Sequence, residues 1–253
     1  MAEQTNIQKP QTAPKKEVSS NVRGIKSASL VILVCFILAV LFYLFVLGNP
    51  ANFKDTVNKE GPINLLGTVY KGGVVVPVLI TCFLTVIVLC VERWIALAKA
   101  EDLCRKQKGT VGAVVYATLQ KYKEMDKDTL LSKEQKLAAI QGTLEEATSL
   151  EMPALQQNLP VLATLTTLGT LIGLFGTVLG MIKSFQALSA SGAPDSTELS
   201  TGISEALVNT ALGIATAALA LIGYNFYTNK IDNMTYAIDE LGFATVSTFS
   251  ATH

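Results

Sequence analysis

Residues 159–182 read LPVLATLTTLGTLIGLFGTVLGMI, an uncharged run in which threonines and glycines recur at helical spacing among aliphatics. At about 100° per residue, Thr166, Thr170, Gly173, Thr177, Gly180 and Ser184 fall in one narrow sector of a helix. One face of that helix is small and hydroxylated; the other is Leu, Ile, Val and Phe. Gly169, Gly173, Gly176 and Gly180 sit beside or within the sector as two overlapping ridges of small residues, which let helix backbones approach closely in lipid. Packing accounts for any single hydroxyl, because Ser and Thr bond back to their own chain. It does not call for three threonines and a serine in line, so the stretch reads as the wall of a polar path through a membrane.

The rest of the chain agrees with that setting. Of 253 residues, 50% are hydrophobic and 16% charged, with a mean hydropathy of +0.41, the profile of a polytopic membrane protein. Four segments are long and apolar enough to span: Ser27 to Leu47, Val74 to Val91, Pro160 to Ile182 and Ile203 to Tyr227. The first is expected to stay as a transmembrane helix rather than be cleaved as a signal peptide, because a long polar stretch precedes it, its apolar run is about twice a signal core, and no clear small-x-small site ends it.

Positive charge sets the orientation. Five Lys or Arg precede the first span, three lie between Gly48 and Gly73, ten lie between Arg93 and Lys136, and Lys183 and Lys230 follow the third and fourth spans. With the N-terminus inside, sixteen of the twenty are cytoplasmic, so both termini are expected in the cytoplasm. The fold expected is thus an all-α integral membrane protein. Its parts are a disordered cytoplasmic tail (1–26), an N-terminal transmembrane helix (27–47), a periplasmic loop (48–73), a second span (74–92) and a cytoplasmic helical region (93–158). A pore-lining span (159–183), a periplasmic loop (184–202), a second pore-lining span (203–228) and a cytoplasmic C-terminal helix or tail (229–253) complete it.

Several function classes lose support on composition. Acids and bases balance at 20 each and alternate, so the basic residues serve membrane orientation rather than nucleic acid. Cys35, Cys82, Cys90 and Cys104 have no metal-ligand spacing and read as free, small apolar residues. The one histidine is His253, which gives histidine-based catalysis little to work with. No cofactor, metal site or enzyme activity is expected.

Between the spans, Asn49-Pro50, Gly61-Pro62 and Gly72-Gly73 mark turns, with room for a short amphipathic helix near Ile63 to Tyr70. Amphipathic runs follow over Val111 to Met125 and from Ser132. The latter opens with a Ser-x-Glu start close to a capping arrangement and continues with Leu137, Ile140, Leu144, Ala147 and Leu150 at steps of three and four. The Ser-, Gly- and Pro-rich segment Gln186 to Thr201 folds the third and fourth spans into an antiparallel hairpin.

The fourth span carries Glu205 near its start with no opposite charge beside it. A charge at membrane depth costs roughly 2.5 to 3.5 kcal/mol on insertion scales. Two roles suit such a carboxylate: an ion path, or stabilisation of the helix N-terminus. Glu205, Asn209 and Thr216 project within about 40° of one another, while Thr210 lies further round with Ala206, Gly213, Ala217 and Ala220 as a second small-residue ridge. The two helices would then line one polar seam. That seam has no titrating group near its middle, since threonine does not titrate near neutral pH. A second membrane subunit is expected to bring one.

The segments NLPVLATLTTLGTLIGLFGTVLGMIKSF and GISEALVNTALGIATAALALIGYN resemble the MotA/TolQ/ExbB proton-channel family, most closely its ExbB and TolQ branch. The likeness covers roughly Val74 to Asp232. It implies a homopentamer in the lipid bilayer of a bacterial inner membrane, whose third and fourth spans line a pore, with an ExbD-like single-span dimer inside carrying the proton-accepting aspartate. It further implies that the proton motive force energises a TonB-like protein for transport across the outer membrane. The family's pore threonines correspond to Thr177 and Thr210, and its glutamate to Glu205. Where the family often has Ala-Pro before GLFGT this chain has Gly169-Thr170, and where it often has a proline in the last span this chain has Leu219. Alternatives are a TolQ-like or stator-type motor, or a non-conducting membrane scaffold. A secondary transporter would show a pseudo-repeat with broken helices, and the sequence has none.

Overall fold

The computed structural model describes residues 28–55, 60–105, 110–190 and 196–252. The tail at 1–26 and His253 lie outside the described residues. The fold is almost wholly helical, and among the described residues four helices are long and apolar enough to cross a membrane: Ala28–Leu47, Val75–Ala100, Leu159–Gln186 and Leu199–Ala251.

Helix α1 (Ala28–Leu41) passes into a π-helical stretch, Phe42–Leu47. It packs on α3 (Val75–Arg105) and leaves most of its surface open, as suits a helix apolar enough to cross a membrane. The segment between them is a compact cap. It holds a 3₁₀ turn (Pro50–Asn52), a two-stranded antiparallel pair of β1 (Phe53–Asp55) and β2 (Glu60–Pro62), and α2 (Leu65–Tyr70). The strands depart from an all-helical expectation; Asn49, Pro50, Gly61 and Pro62 punctuate the segment too closely for a longer helix. Buried Asn52 organises the cap. Its Nδ2 donates to the carbonyls of Val46 (2.8 Å) and Leu47 (3.1 Å), and its Oδ1 accepts from Asn64 Nδ2 at 2.9 Å. The Tyr43 and Tyr70 rings stack at 4.8 Å.

Beyond α3, α4 (Thr110–Lys127) and α5 (Lys133–Leu155) form an antiparallel extension against the far end of α7 (Ser196–Thr252). Met125, Ile140 and Phe249 are its core. A capping box starts α5, but its partner is Gln135 at the third helical position rather than Glu134: Ser132 Oγ accepts from the Gln135 amide, and Gln135 Oε1 accepts from the Ser132 amide. Glu134 is one residue too early to reach back. Of the stripe on α5, Ile140 is buried whereas Leu150 is 62% exposed. Asn158, with φ of 64°, turns the chain from α5 into α6 (Leu159–Ala190).

Helices α6 and α7 form the antiparallel hairpin, and both run further than their composition suggests. Although 184–202 reads as a loop, α6 continues to Ala190 and α7 begins at Ser196. The small residues there pack helix on helix, with Gly202 against Ser184 and the Gly180 carbonyl. A second core joins α3, α6 and α7 through Val86, Leu89, Leu162, Leu165, Ala220 and Tyr227. Tyr227 donates its hydroxyl to the Cys90 carbonyl at 2.6 Å.

Candidate ion-path hairpin

The glycines decide how close the two long helices come. A Cβ on Gly173 would lie 3.0 Å from Gly213 Cα, one on Gly213 would lie 2.6 Å from the Gly169 carbonyl oxygen, and one on Gly176 would meet the Asn209 side chain. Any side chain at these positions forces the backbones apart.

That contact rotates the threonines of α6 away from α7. Thr170 and Thr177 sit roughly 80° round the helix from the centre of the glycine ridge. Thr170 is exposed, and Thr166 and Thr177 are half-buried. Their hydroxyls donate back to Leu162 (3.3 Å), Thr166 (3.4 Å) and Leu174 (2.6 Å), so each keeps its acceptor lone pairs on the open side. On α7, Thr210 is likewise half-buried and bonded back to Ala206 at 3.3 Å.

Glu205, Asn209 and Thr216 lie elsewhere. All three are buried, at 6%, 0% and 0% exposure. Helical projection sets Glu205 roughly 140° round α7 from Thr210, on the flank that meets the turn before α3. Asn209 Nδ2 donates to the Gly72 carbonyl at 3.0 Å, and the Glu205 carboxylate lies against Gly73, whose φ is 74°. The polar residues of the hairpin thus fall into two groups on opposite flanks instead of one seam, because the glycine contact occupies the sector between them. Thr216 bonds to the Leu212 carbonyl at 2.8 Å within its own helix.

Two expectations about Glu205 are corrected. It has an opposite charge beside it: Lys183 Nζ lies 2.6 Å from Oε1. It also sits nine residues into α7, beyond the first turn over which a helix N-terminus stabilises an anion. Lys183 is the partner of Glu205 that the sequence alone does not announce. The antiparallel register, in which Gly180 meets Ala206, was the signal that places the two charges together. Among the described residues, no three His, Cys, Asp or Glu side chains gather as a metal site, and Cys35, Cys82 and Cys90 are free thiols.

Fold and site together define a polytopic helical membrane protein whose last two spans form a glycine-packed hairpin with an open hydroxyl flank. Over residues 106–240 the sequence matches the MotA/TolQ/ExbB proton channel family, and the chain belongs to that family. Similar proteins include the Tol-Pal system protein TolQ of Haemophilus influenzae, 35% identical over 128 residues, covering 49% of this chain and 56% of that protein. The biopolymer transport protein ExbB of Helicobacter pylori is 40% identical over 78 residues, covering 31% and 54%. TolQ of Pseudomonas aeruginosa is 34% identical over 94 residues, covering 37% and 41%. The chain thus spans about half the length of the curated relatives it matches.

Proposed function

We propose that this protein is an ExbB-like channel and motor subunit of a bacterial inner membrane, with both termini in the cytoplasm and α4, α5 and the end of α7 forming a cytoplasmic extension. Five copies enclose a pore with the open flanks of their α6–α7 hairpins. Thr166, Thr170, Thr177 and Thr210 line it. An ExbD-like dimer of single-span helices stands inside and brings the titrating carboxylate that the hydroxyl wall does not supply. Each elementary charge crossing 100 mV releases roughly 2.3 kcal/mol, which the complex delivers to a TonB-like protein for transport across the outer membrane.

The observation that carries this reading is the open hydroxyl flank. Thr170 is exposed in the middle of the span, beside half-buried Thr177, while the adjacent glycine face is closed against α7. Hydroxyls facing lipid gain nothing, whereas hydroxyls facing a hydrated path order water and pass hydrogen bonds. A TolQ-like output is the second reading, favoured by the likeness to the Haemophilus protein over 128 residues.

The test is native mass spectrometry of the protein drawn gently from its own membranes, with each co-purifying chain sequenced. A ring of five copies holding a smaller single-span subunit with a membrane aspartate supports the motor, and the companion's identity separates the two outputs. A monomer or dimer without such a subunit supports a non-conducting scaffold instead.

A further inference from the structure

The buried flank of the hairpin holds a group of polar atoms that the hydroxyl path does not use. Glu205 pairs with Lys183 across 2.6 Å; the carboxylate side chain is 8% exposed and the lysine 52%. One helical turn deeper on the same face stands Asn209, fully buried. Its Nδ2 is committed to the Gly72 carbonyl, and its Oδ1 is buried without a hydrogen-bond partner. The amide cannot turn over to relieve this, since that would set Oδ1 against the Gly72 oxygen, acceptor against acceptor. An orphaned acceptor in so buried a place is costly and calls for a donor that arrives under some condition.

Glu205 lies one helical turn away on the same face. Residues four apart on a helix are neighbours, and the two side chains meet consecutive residues of one turn. A Cβ on Gly72 would stand 3.2 Å from Asn209 Oδ1, while a Cβ on Gly73 would collide with Glu205 Oε1 and lie 3.3 Å from Lys183 Nζ. As a carboxylate, Glu205 only accepts, and Lys183 serves it. As a carboxylic acid it gains one O–H to donate and loses its charge attraction to Lys183.

We propose that Glu205 is a two-position proton switch at the mouth of the hairpin. Ionised, it is held by Lys183 over Gly73. When it takes a proton from water, the neutral acid releases Lys183 and donates its O–H to Asn209 Oδ1; giving the proton back restores the pair. Among the described residues, the cap brings Tyr43 within electrostatic range of the carboxylate, with Tyr70 stacked on its ring, and Lys71 stands in the chain next to the Gly72–Gly73 turn. The same turn is the one that the N-terminal span and its cap hold in place. Protonation at the mouth is thereby coupled to the additional span, a link that does not run through the threonines.

The inference rests on the reading of the hairpin as an ion path, yet its test is separate from ion flux. Full-length protein in lipid vesicles, labelled with ¹³C at the glutamate carboxyl or the asparagine side-chain carbonyl, is acidified while infrared difference spectra are recorded, and Glu205→Gln identifies its band. A hydrogen-bonded acid band from Glu205 is expected to appear together with a shift of the Asn209 carbonyl. Lys183→Met should change the carboxylate and acid bands of Glu205, while Lys183→Arg should keep the wild-type pattern. Asn209→Leu should move the acid band to the position of an unbonded carboxyl group. If that variant does not assemble, the wild-type Asn209 shift decides alone. An acid band that forms with no change at Asn209, or a Lys183→Met protein that matches wild type, overturns the switch even where flux is normal. The full set of shifts in a protein that carries no flux keeps the switch and removes the path.

Discussion

Arg93 Nη1 donates to the carbonyl oxygen of Leu155 across 3.3 Å, tying the span α3 to the last turn of α5. The arginine is 1% exposed, and its remaining nitrogens form a fork on Glu92 at 2.6 and 2.7 Å. A buried pair of this kind adds little over apolar packing, but removing one member leaves the other charge uncompensated. Arg93→Met is therefore expected to lower the unfolding free energy by about 3 to 5 kcal/mol. Glu92→Gln/Arg93→Met should cost clearly less than the single change. Thermal unfolding in detergent compares them, and equal losses would show that the carbonyl bond, not the charge, sets the cost.

Two glycines in helix interiors are expected to respond in opposite directions. At Gly213 a new Cβ meets the Gly169 carbonyl oxygen at 2.6 Å and Gly173 Cα at 2.8 Å, both backbone atoms that move only if the helices part. Gly213→Ala should destabilise by about 1 to 3 kcal/mol. At Gly142 nothing lies within 4 Å of the added atom. Gly142→Ala should stabilise α5 by roughly 0.5 to 1 kcal/mol, because alanine loses less chain entropy in a helix. Unfolding midpoints measured side by side settle both signs.

The spans and the family were legible because they are local properties. Hydropathy over a window of one helix finds all four apolar helices, and the GLFGTV and EALVNTALG segments each lie within a single span. What escaped was set by pairing between distant residues. Lys183 and Glu205 are 22 positions apart, and Asn209 meets Gly72 across 137; no periodicity within one helix reports either. The loop expected at 184–202 shows the same blind spot, because Gly202 and Ser184 look like turn residues alone and become packing residues once the partner helix lies beside them. Helical projection grouped the hydroxyls and glycines of α6 into one sector, and only contact with α7 shows that the glycines close while Thr170 remains open.

If the open flank carries ions, its hydroxyls matter more to flux than to folding. Thr177 and Thr210 bond only to carbonyls of their own helices, at 2.6 and 3.3 Å, so valine replaces each with nearly the same shape. Thr177→Val and Thr210→Val are expected to leave oligomer mass and expression unchanged. Each should reduce proton flux into vesicles carrying the complex with its companion subunit at least about tenfold, equivalent to ~1.4 kcal/mol of barrier. Thr216→Val serves as the control on the same helix, since Thr216 is fully buried on the other flank. Flux that survives Thr177→Val as well as it survives Thr216→Val would remove Thr177 from the path.

The cap before α3 should loosen as a unit when Asn52 is changed. Its amide serves the carbonyls of Val46 and Leu47, where the π-helical turn leaves the first span, and its Oδ1 receives Asn64, which in turn caps α2 through the Gly67 amide at 3.0 Å. The Asn52 backbone oxygen also accepts from Ile63 at 2.9 Å, so one residue joins the exit of α1 to the start of α2. Asn52→Leu fills similar volume but leaves those carbonyls and Asn64 without their partner, at a cost of about 1 to 3 kcal/mol for each polar group left buried. The break is local, because α1 still packs on α3 through its apolar face. Hydrogen exchange is therefore expected to quicken across α2 and the Gly72–Gly73 turn, with the amides in the middle of α6 and α7 unchanged. Exchange that rises equally in the hairpin would mean that the cap and the hairpin open together and that Asn52 holds more than the cap.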